Sequence, residues 1–521
     1  MKKLHFLFLF STVYSIGQNF TRTFPIEDSS IDYSIGNSAP IVETTDGGYI
    51  LNYSYTYPNW DTAAGYNSTI IKTDSNFIPL WSKKLYTGNG EKTIVLNDGS
   101  SVFFTKGGYL IKLDSNGQEL FSIGNFATYP DRLNISDAEL IGNKIKVIGN
   151  KDTYNGFGYT TNSVQVMIDF DLNGNLLQTY VLNDGGTSPW ARPTNIAKDN
   201  LGNYYITGYS YADGNYICKI NSNDTVLWCK RFKHTNDNSI IRVNDIVPLA
   251  NGDILLGGNF YDYSNSFGGL YLSRLSSSGD LLSAKTTTDY KSSIERISQL
   301  TNNDIILTGL MREDDQSFNK SFVMRMNSSE TLSWLKMYNE GFGMSPPLVK
   351  NENDWYFTAF HFNNFSNNNP ILFNTENTGN TICTNDNMSI TFTYVPLFFT
   401  TPNLTIAPNS LLLNNPSALT PMYATQMQTY TDECIPRLLG VNEIKNKNEM
   451  AIYPNPSKGA VNIKSKSKIK SIEIMNGLGQ KINNYYPNEL EISILIKNEG
   501  LYLVKIETES GIKTSKVIIS K

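Results

Sequence analysis

One short pattern recurs along the first four fifths of this 521-residue chain and constrains its fold more than any other feature. In its clearest copy, residues 107–121, two strand-like runs flank Asp-Ser-Asn-Gly, and Asn-Gly between such runs is a strong hairpin signal. Related turns place residues 77, 117, 174, 224, 279, 330 and 379 at the equivalent position, so the intervals are 40, 57, 50, 55, 51 and 49 residues. The pattern indicates seven copies of one unit.

Each copy contains four strand-like runs, with a polar turn after the first, a variable loop after the second and the Asn-Gly type of turn after the third. A period of about 40–50 residues with four strands per unit is typical of a β-propeller. A single four-stranded sheet cannot bury both faces, whereas radially packed sheets bury each other. We therefore predict an all-β fold with a seven-bladed β-propeller of four-stranded blades over residues 18–388.

Details of the repeats extend this prediction. Residues 19–26 resemble a fourth strand without its blade, so we expect them to complete the last blade and close the ring. Glycines such as Gly208 and Gly309 are expected to end inner strands where backbones approach closely. Tryptophans recur early in the fourth strand and are interpreted as packing between blades, with an aromatic rim as the alternative; they are Trp81, Trp228 and Trp334.

The first 17 residues have the features of a secretory signal peptide, because Met1-Lys2-Lys3 precedes a short apolar run and Ser15 and Gly17 are small. The run is too short to span a bilayer, and no later run reaches eighteen apolar residues, so we predict no transmembrane segment. The net charge is −5 without clustered Lys/Arg before the last domain. That distribution argues against a nucleic-acid partner.

The four cysteines predict disulfides, since an even number is usual in exported proteins. Cys218 and Cys229 flank a hairpin turn centred between residues 223 and 224, so they are expected to face each other across two strands. Cys383 and Cys434 would form the remaining pair. The alternative is that both pairs stay reduced, and no spacing has the form of a zinc-binding CxxC.

After the repeats, residues 389–436 contain strand-like runs separated by prolines, which we interpret as a β-rich extension packed on the propeller and tied by Cys383–Cys434. Residues 437–448 have the composition of a linker. Residues 449–521 alternate strictly between apolar and polar side chains, which predicts a small antiparallel β-sandwich.

The last domain carries four motifs that resemble a known family: Tyr453-Pro454-Asn455-Pro456, Gly477-Leu478-Gly479, Gly500-Leu501-Tyr502 and Lys516-Val517-Ile518-Ile519. They look like the type A sorting domain of the type IX secretion system of Bacteroidetes. The resemblance covers roughly residues 448–521. It implies export through the periplasm, recognition by the outer-membrane translocon, and a secreted or cell-surface location. An ordinary Ig-like adhesive module is the alternative. The repeats also resemble those of secreted Bacteroidetes propellers, a likeness that conveys no activity.

One segment resembles the start of a calcium loop, because Asp169, Asp171 and Asn173 place oxygens at alternate positions. An EF-hand needs a bidentate Glu at the twelfth position, where this chain has Tyr180. An Asn-Gly hairpin turn explains the same residues better. We therefore predict no metal and no cofactor.

No catalytic residue is predicted. The three histidines are His5, His234 and His361, and their separation disfavours a His-based triad or zinc site. Asp314-Asp315 offers carboxylates for a glycosidase, but acidic pairs do not recur at matched positions. Segments 57–60 and 259–263 combine aromatic and amide side chains, which suit carbohydrate or protein contact and are also normal in loops of secreted β-proteins.

The leading hypothesis is a non-enzymatic secreted or surface-displayed propeller that binds a glycan or a surface protein through its loops. The alternative is an extracellular polysaccharide hydrolase or lyase with carboxylates at the propeller mouth. A purely structural surface protein is the third possibility.

Overall fold

The computed structural model describes two compact units, Met1–Ile435 and Pro436–Lys521. It describes residues 21–24, 41–56, 66–85, 90–105, 107–124, 130–155, 159–183, 191–210, 212–264, 267–287, 291–312, 320–338, 341–342, 348–351, 354–361, 370–375, 377–380, 385–388, 390–402, 404–409, 417–418, 423–426, 431–433, 451–476, 480–509 and 511–520. Strands and turns account for all regular structure in these ranges. The predicted all-β class is confirmed.

In the part of the first unit that the structure describes, the strands form seven antiparallel sheets, numbered here in chain order. After an N-terminal strand, β1 (Thr21–Thr23), sheets 1 to 3 contain four consecutive strands each: β2 (Val42–Glu43), β3 (Tyr49–Thr56), β4 (Tyr66–Thr73) and β5 (Pro79–Leu85); β6 (Gly90–Val95), β7 (Ser101–Thr105), β8 (Tyr109–Leu113) and β9 (Glu119–Gly124); β10 (Asp131–Ile141), β11 (Lys144–Tyr154), β12 (Thr160–Phe170) and β13 (Leu176–Asn183).

Sheets 4 to 6 repeat this order: β14 (Arg192–Lys198), β15 (Tyr204–Ser210), β16 (Gly214–Ile220) and β17 (Val226–His234); β18 (Ser239–Pro248), β19 (Ile254–Asp262), β20 (Phe267–Leu275) and β21 (Leu281–Thr287); β22 (Lys291–Gln299), β23 (Ile305–Arg312), β24 (Lys320–Met326) and β25 (Leu332–Tyr338). Sheet 7 contains β26 (Gly341–Phe342), β27 (Leu348–Asn351), β28 (Asp354–His361) and β29 (Pro370–Thr375). The seven copies of the sequence pattern therefore correspond to seven sheets.

The N-terminal strand completes sheet 7 rather than sheet 1. Thr21 lies opposite Phe373 and Thr23 opposite Ile371, so β1 pairs with β29. The side chain of Arg22 donates to the carbonyls of Asn76 and Phe77 in sheet 1, at 3.0 and 3.1 Å. The prediction that this strand completes the last sheet is confirmed.

A belt of short strands, residues 385–433, adds one outer strand to every sheet. Its strands are β30 (Asn385–Asn387), β31 (Phe392–Tyr394), β32 (Leu397–Thr400), β33 (Thr405–Pro408), β34 (Ser417–Ala418), β35 (Tyr423–Gln426) and β36 (Thr431–Glu433). They pair in turn with β25, β21, β17, β13, β9, β5 and β1, so the belt visits sheets 6 to 1 in reverse order and ends on sheet 7. The sheets therefore have five or six strands, where four were predicted.

Among the described residues, seven hydrophobic clusters each join two successive sheets. The cluster around Phe103 and Ile50 joins sheets 1 and 2, and the following clusters join each later pair in chain order. The last contains Phe24 and Tyr356 of sheet 7 with Tyr49 of sheet 1. Each sheet thus buries both faces, as expected for apolar surface that needs two neighbours.

The recurring tryptophans also connect successive sheets. Trp81, Trp228 and Trp334 each donate their indole N–H to a carbonyl in the next sheet's turn, at 3.0 Å. Their interpretation as packing between sheets is confirmed. The close backbone approach predicted for the glycines is confirmed at Gly309, but the predicted position is wrong, because Gly208 and Gly309 lie inside β15 and β23, opposite β-bulges, and not at strand ends. A Cβ on Gly309 would meet the Ser293 carbonyl oxygen at 2.0 Å.

The second unit is a six-stranded antiparallel arrangement organised by one long strand. Its strands are β37 (Ala451–Tyr453), β38 (Ala460–Asn476), β39 (Lys481–Tyr485), β40 (Glu489–Leu495), β41 (Gly500–Thr508) and β42 (Gly511–Ile519). The first part of β38 pairs with β37 and β40, and the second part pairs with β39 and β41. Alternate residues of these strands, including Val461, Ile474 and Val504, form its core.

Candidate functional site

The repeated turns are built by one side chain each. In the clearest copy, Asp114 Oδ1 accepts the backbone N–H groups of Asn116 and Gln118 at 2.9 and 2.8 Å. Asp74, Asp171, Asn221 and Asn327 make the same pair of bonds. A short side-chain acceptor that satisfies two turn donors explains why these positions favour Asp and Asn.

The resemblance to a calcium loop has a structural explanation of this kind. Asp171 caps the β12–β13 turn, as the hairpin interpretation predicted. Asp169 is fully buried, and its carboxylate accepts from Lys146 Nζ at 2.7 and 3.0 Å. Lys146 also lies 2.8 Å from Asp224. The carboxylates of Asp169 and Asp171 are therefore bound by protein donors, and no group of three metal-ligating side chains occurs among the described residues.

Charged residues on the first strands connect neighbouring sheets. Asp137 pairs with Lys92 at 3.2 Å and accepts the N–H of Ile196 at 3.1 Å. Asp245 accepts the N–H of Ile297 at 2.7 Å. Each of these carboxylates therefore bonds to the first strand of the following sheet.

The electrostatic surroundings of Asp245 extend beyond its neighbouring sheet. Burial raises the pKa of its carboxyl to about 6, although Arg296 and Lys92 oppose the shift. Lys92 belongs to sheet 2 and Asp245 to sheet 5, so charges on non-adjacent sheets lie within electrostatic reach of each other. Asp137 and Asp245 therefore both serve contacts between sheets.

Two of the cavities that described residues line are candidates for ligand binding. The larger of these two, of about 510 Å³, lies between sheets 4 and 5. The cavity lies beside the β15–β16 turn and the segment between β17 and β18. Its lining residues are Tyr209, Ala212, Gly214, Asn215, Lys233, His234, Asp237, Asn238, Ser239, Ile240, Ile241 and Tyr263. The lining combines tyrosines, amides and hydroxyls. Its single carboxylate among the described residues, Asp237, is exposed and pairs with Lys233 at 2.7 Å.

The polar atoms of this lining include Asn215 Oδ1 and Ser239 Oγ, which are buried without a hydrogen-bond partner in the part of the chain that the structure describes. The amide nitrogen of Asn215 donates to the carbonyl of Ile241 at 2.9 Å, which leaves its oxygen available. An unsatisfied buried acceptor or hydroxyl costs about 1–3 kcal/mol. His234 lies at the same rim, where its Nδ1 accepts the N–H of Asn236 at 3.0 Å.

The smaller cavity, of about 260 Å³, lies between sheets 5 and 6. Its lining residues are Asn259, Phe260, Tyr261, Gly268, Lys291, Ser292, Ser293, Leu310 and Arg312. The segment predicted as an aromatic loop therefore reaches both cavities. Most of it is not a loop, since residues 259–262 belong to β19. The rings of Tyr261 and Tyr263 meet edge to face at 4.7 Å, and we call this pair the aromatic ridge.

These cavities were not predicted, because they depend on which sheets become neighbours. The sequence signal was the mixture of Asn, Phe and Tyr at 259–263. Other predicted elements lie outside the described residues: the signal peptide, segment 57–60, Asp314-Asp315, Cys383, Cys434 and the linker 437–448. The predicted bridge Cys218–Cys229 is confirmed, with the two residues directly opposite each other on β16 and β17.

The motif residues of the second unit stabilise its own fold. Asn455, between Pro454 and Pro456, donates to the carbonyl of Lys516 at 2.7 Å and accepts the N–H of Ile518 at 2.9 Å, so it holds β42. Tyr453 donates to Glu491 at 2.9 Å.

Another motif residue, Tyr502, donates to the carbonyl of Asn498 at 2.9 Å, and Gly500 has a φ of 148°. Gly477 and Gly479 lie outside the described residues. The described motif residues thus share the task of fixing the turns and the last strand.

A comparison with known families decides what this unit is. Residues 451–520 match the family described as a secretion system C-terminal sorting domain. The resemblance to type IX sorting domains is thereby confirmed. The sorting domain indicates export to the cell surface or secretion, and it implies interaction with the secretion system. No helix among the described residues is long and apolar enough to cross a membrane.

No curated protein matches the sequence. Similar solved structures include PorZ, titled an essential bacterial surface component of the type-IX secretion system of Porphyromonas gingivalis, at 8% identity, 93% coverage of this chain, 81% of that chain and a TM-score of 0.22. The exotype rhamnogalacturonan lyase YesX is 14% identical, with 66% and 72% coverage and a TM-score of 0.35. A eukaryotic initiation factor is 10% identical, with 73% and 98% coverage and a TM-score of 0.28.

Proposed function

We propose that this protein is a glycan-binding protein, exported by its sorting domain, whose seven sheets are the blades of a β-propeller. Seven clusters that each join successive sheets, the last of them joining sheet 7 to sheet 1, support a ring. The effect of Lys92 on Asp245 supports the placement of the first strands around a common axis, because their sheets are not neighbours in the chain. The predicted domains complete the proposal, with a signal peptide at 1–17, a linker at 437–448 and a sandwich-type sorting domain from 449.

The observation that carries the binding proposal is the larger cavity with the unsatisfied atoms Asn215 Oδ1 and Ser239 Oγ and the aromatic ridge beside it. Sugars present apolar ring faces together with many hydroxyls. Aromatic rings bind the faces, while amide and hydroxyl groups exchange hydrogen bonds with the hydroxyls. Tyr263 is 53% exposed, so its ring is accessible to a ligand.

A hydrolase or lyase is less well supported. Glycoside hydrolysis by two carboxylates requires a pair about 5–10 Å apart at the scissile bond. Among the described residues, the larger cavity has only Asp237, and the smaller cavity has no carboxylate. Asp137 and Asp245 on the first strands already bond to neighbouring sheets.

Screening the mature protein on a glycan array tests the proposal, followed by calorimetric titration of any hit. Tyr263→Ala and Asn215→Ala should each weaken binding about tenfold or more, through loss of ring contact and of a hydrogen bond. Tyr159→Ala is the matched control, because Tyr159 is also exposed and directly precedes β12 of sheet 3, outside both cavities. Absence of any glycan ligand, or equal affinities for all three variants, would contradict the assignment.

A further inference from the structure

The smaller cavity contains two cations that face each other. Lys291 on β22 and Arg312 on β23 are direct partners in the antiparallel register, so their side chains extend from the same face of sheet 6. Both line the cavity. Like charges directly opposite each other on neighbouring strands are destabilising. Such an arrangement usually has a compensating anion.

Within the described residues, neither cation has a compensating partner. The Nε atom of Arg312 is buried without a hydrogen-bond acceptor. The corresponding strand cation of the same sheet, Arg325, bonds to Asp304 at 2.6 Å. Lys285, which also borders sheet 6, pairs with Glu330 at 2.7 Å. The pair in the cavity therefore differs from the structural ion pairs around it.

We propose that Lys291 and Arg312 bind an oxyanion carried by the glycan, either the carboxylate of a uronic acid or a sulfate ester. This inference rests on the proposed function and names the class of its ligand. The planar guanidinium presents parallel N–H donors that match a carboxylate or sulfate, and the ammonium supplies a second charge. Hydrogen bonds to charged groups are among the strongest in proteins.

The placement of the aromatic ridge supports an acidic sugar over an isolated ion. Tyr261 lines the smaller cavity and Tyr263 the larger one, and their rings are in contact. An oligosaccharide that crosses the aromatic ridge places one sugar unit in the larger cavity. Another sugar unit then lies at Lys291 and Arg312 in the smaller cavity. The two cavities then form subsites of a single groove.

The test is calorimetric titration of the mature protein with tetragalacturonate, with a sulfated tetrasaccharide and with a neutral tetrasaccharide. We expect at least one acidic ligand to bind about tenfold or more tightly than the neutral one, with affinity falling between 50 and 500 mM salt. The acidic ligand that binds more tightly identifies the source of the oxyanion. Lys291→Gln/Arg312→Gln should remove the acidic preference and keep neutral binding. Lys198→Gln/Lys230→Gln, with the same charge change on sheet 4, should keep the preference.

Equal affinity for acidic and neutral glycans would overturn this inference and leave the proposed function standing, whereas no binding of any glycan would reject both. Preferential binding of a polyglutamate peptide would also overturn it. The chain continues from Arg312 into Glu313, Asp314 and Asp315, which lie outside the described residues. If the wild type showed no acidic preference and E313Q/D314N/D315N acquired one, the chain's own carboxylates would occupy the two cations in the native protein and the inference would be wrong.

Discussion

The turn residues that marked the sequence repeat also explain how neighbouring sheets fit together. All seven, from Phe77 to Gly379, have positive φ. Where the preceding sheet presents a Trp or Phe, the turn residue is glycine: Trp81 over Gly117, Phe121 over Gly174, Trp228 over Gly279 and Trp334 over Gly379. Where it presents Arg22 or Ser283, the turn residue is Phe77 or Glu330. At the four ring contacts, therefore, the glycine leaves the space that the aromatic side chain of the preceding sheet occupies.

The cost of filling such a contact can be separated from the cost of backbone strain. Gly117→Ala should destabilise the protein by about 2–4 kcal/mol, because φ is +78° and the new Cβ would lie 2.8 Å from the Trp81 ring. Gly47→Ala is the matched control, since φ is +80° with nothing within 4 Å, and should cost about 1–2 kcal/mol. Urea unfolding measures both. In a Trp81→Ala background, Gly117→Ala and Gly47→Ala should lower the free energy of unfolding by the same amount. A difference that persisted in this background would contradict the contact between Gly117 and Trp81.

Asp245 gives a pH-dependent prediction at the same scale. Its pKa is raised to about 6 in the folded state, chiefly by burial. The folded state therefore holds a proton more strongly than the unfolded state, so this group's contribution to stability falls as pH rises from about 4 to 6. Asp245→Asn removes that loss and keeps an acceptor for the backbone N–H groups. Its melting temperature relative to the wild type should rise over this interval.

Asp280→Asn is the control of opposite sign for this experiment. The pKa of Asp280 is lowered, mainly by its hydrogen bond from Ser278, so its carboxylate stabilises the fold once the pH exceeds the unfolded value. Its melting temperature relative to the wild type should fall slightly with rising pH. If the melting temperatures of the wild type and of Asp245→Asn differed by a constant amount from pH 4 to 7, the raised pKa of Asp245 would be contradicted.

At the scale of elements, the belt covers the outer edge of every sheet. Exposed edge strands are sites of aggregation, and proteins commonly cover them. The belt does so with strands of two to four residues, which explains why its pairing was not predicted. Such short runs carry no periodicity that could identify a partner strand. The longer strands of the repeats were predictable because alternation and turn chemistry agree within each copy.

Truncation tests the role of the belt. Residues 18–436 should be monomeric, whereas residues 18–384 should expose seven outer edges and aggregate. Size-exclusion chromatography and thioflavin T fluorescence of the two proteins at matched concentration provide the measurement. A monomeric 18–384 with an unchanged melting temperature would show that the belt is dispensable for this purpose.

For the whole molecule, the sequence predicted exported all-β architecture well but not the candidate binding site. Motifs such as Tyr453-Pro454-Asn455-Pro456 are local, so they are readable from the chain alone. The cavities bring together residues from β16, β19 and β22, which only tertiary packing makes neighbours. The buried ion pair in sheet 3 was not predicted for the same reason, because Lys146 and Asp169 lie 23 positions apart in the sequence.

Export should depend on the sorting domain. Deletion of residues 449–521 should leave the protein in the periplasm, as measured by immunoblots of fractionated cells. Asn455→Ala should lower the secreted fraction, because it removes two bonds that hold β42. Asn483→Ala, on the exposed strand β39, should leave secretion unchanged. Normal secretion of the deletion variant would contradict the role assigned to this domain.

The position of β1 has a consequence for the lifetime of the folded protein. β1 lies between β29 and β36, so Thr21 pairs with both Phe373 and Glu433. Sheet 7 therefore cannot form completely until β36, the last strand of the belt, is available to pair with β1. Once the sheet has formed, β1 lies between β29 and β36, so the release of β1 requires the loss of its pairing with both strands. Such a barrier slows unfolding and proteolysis, which benefits a protein outside the cell, where no chaperone refolds it.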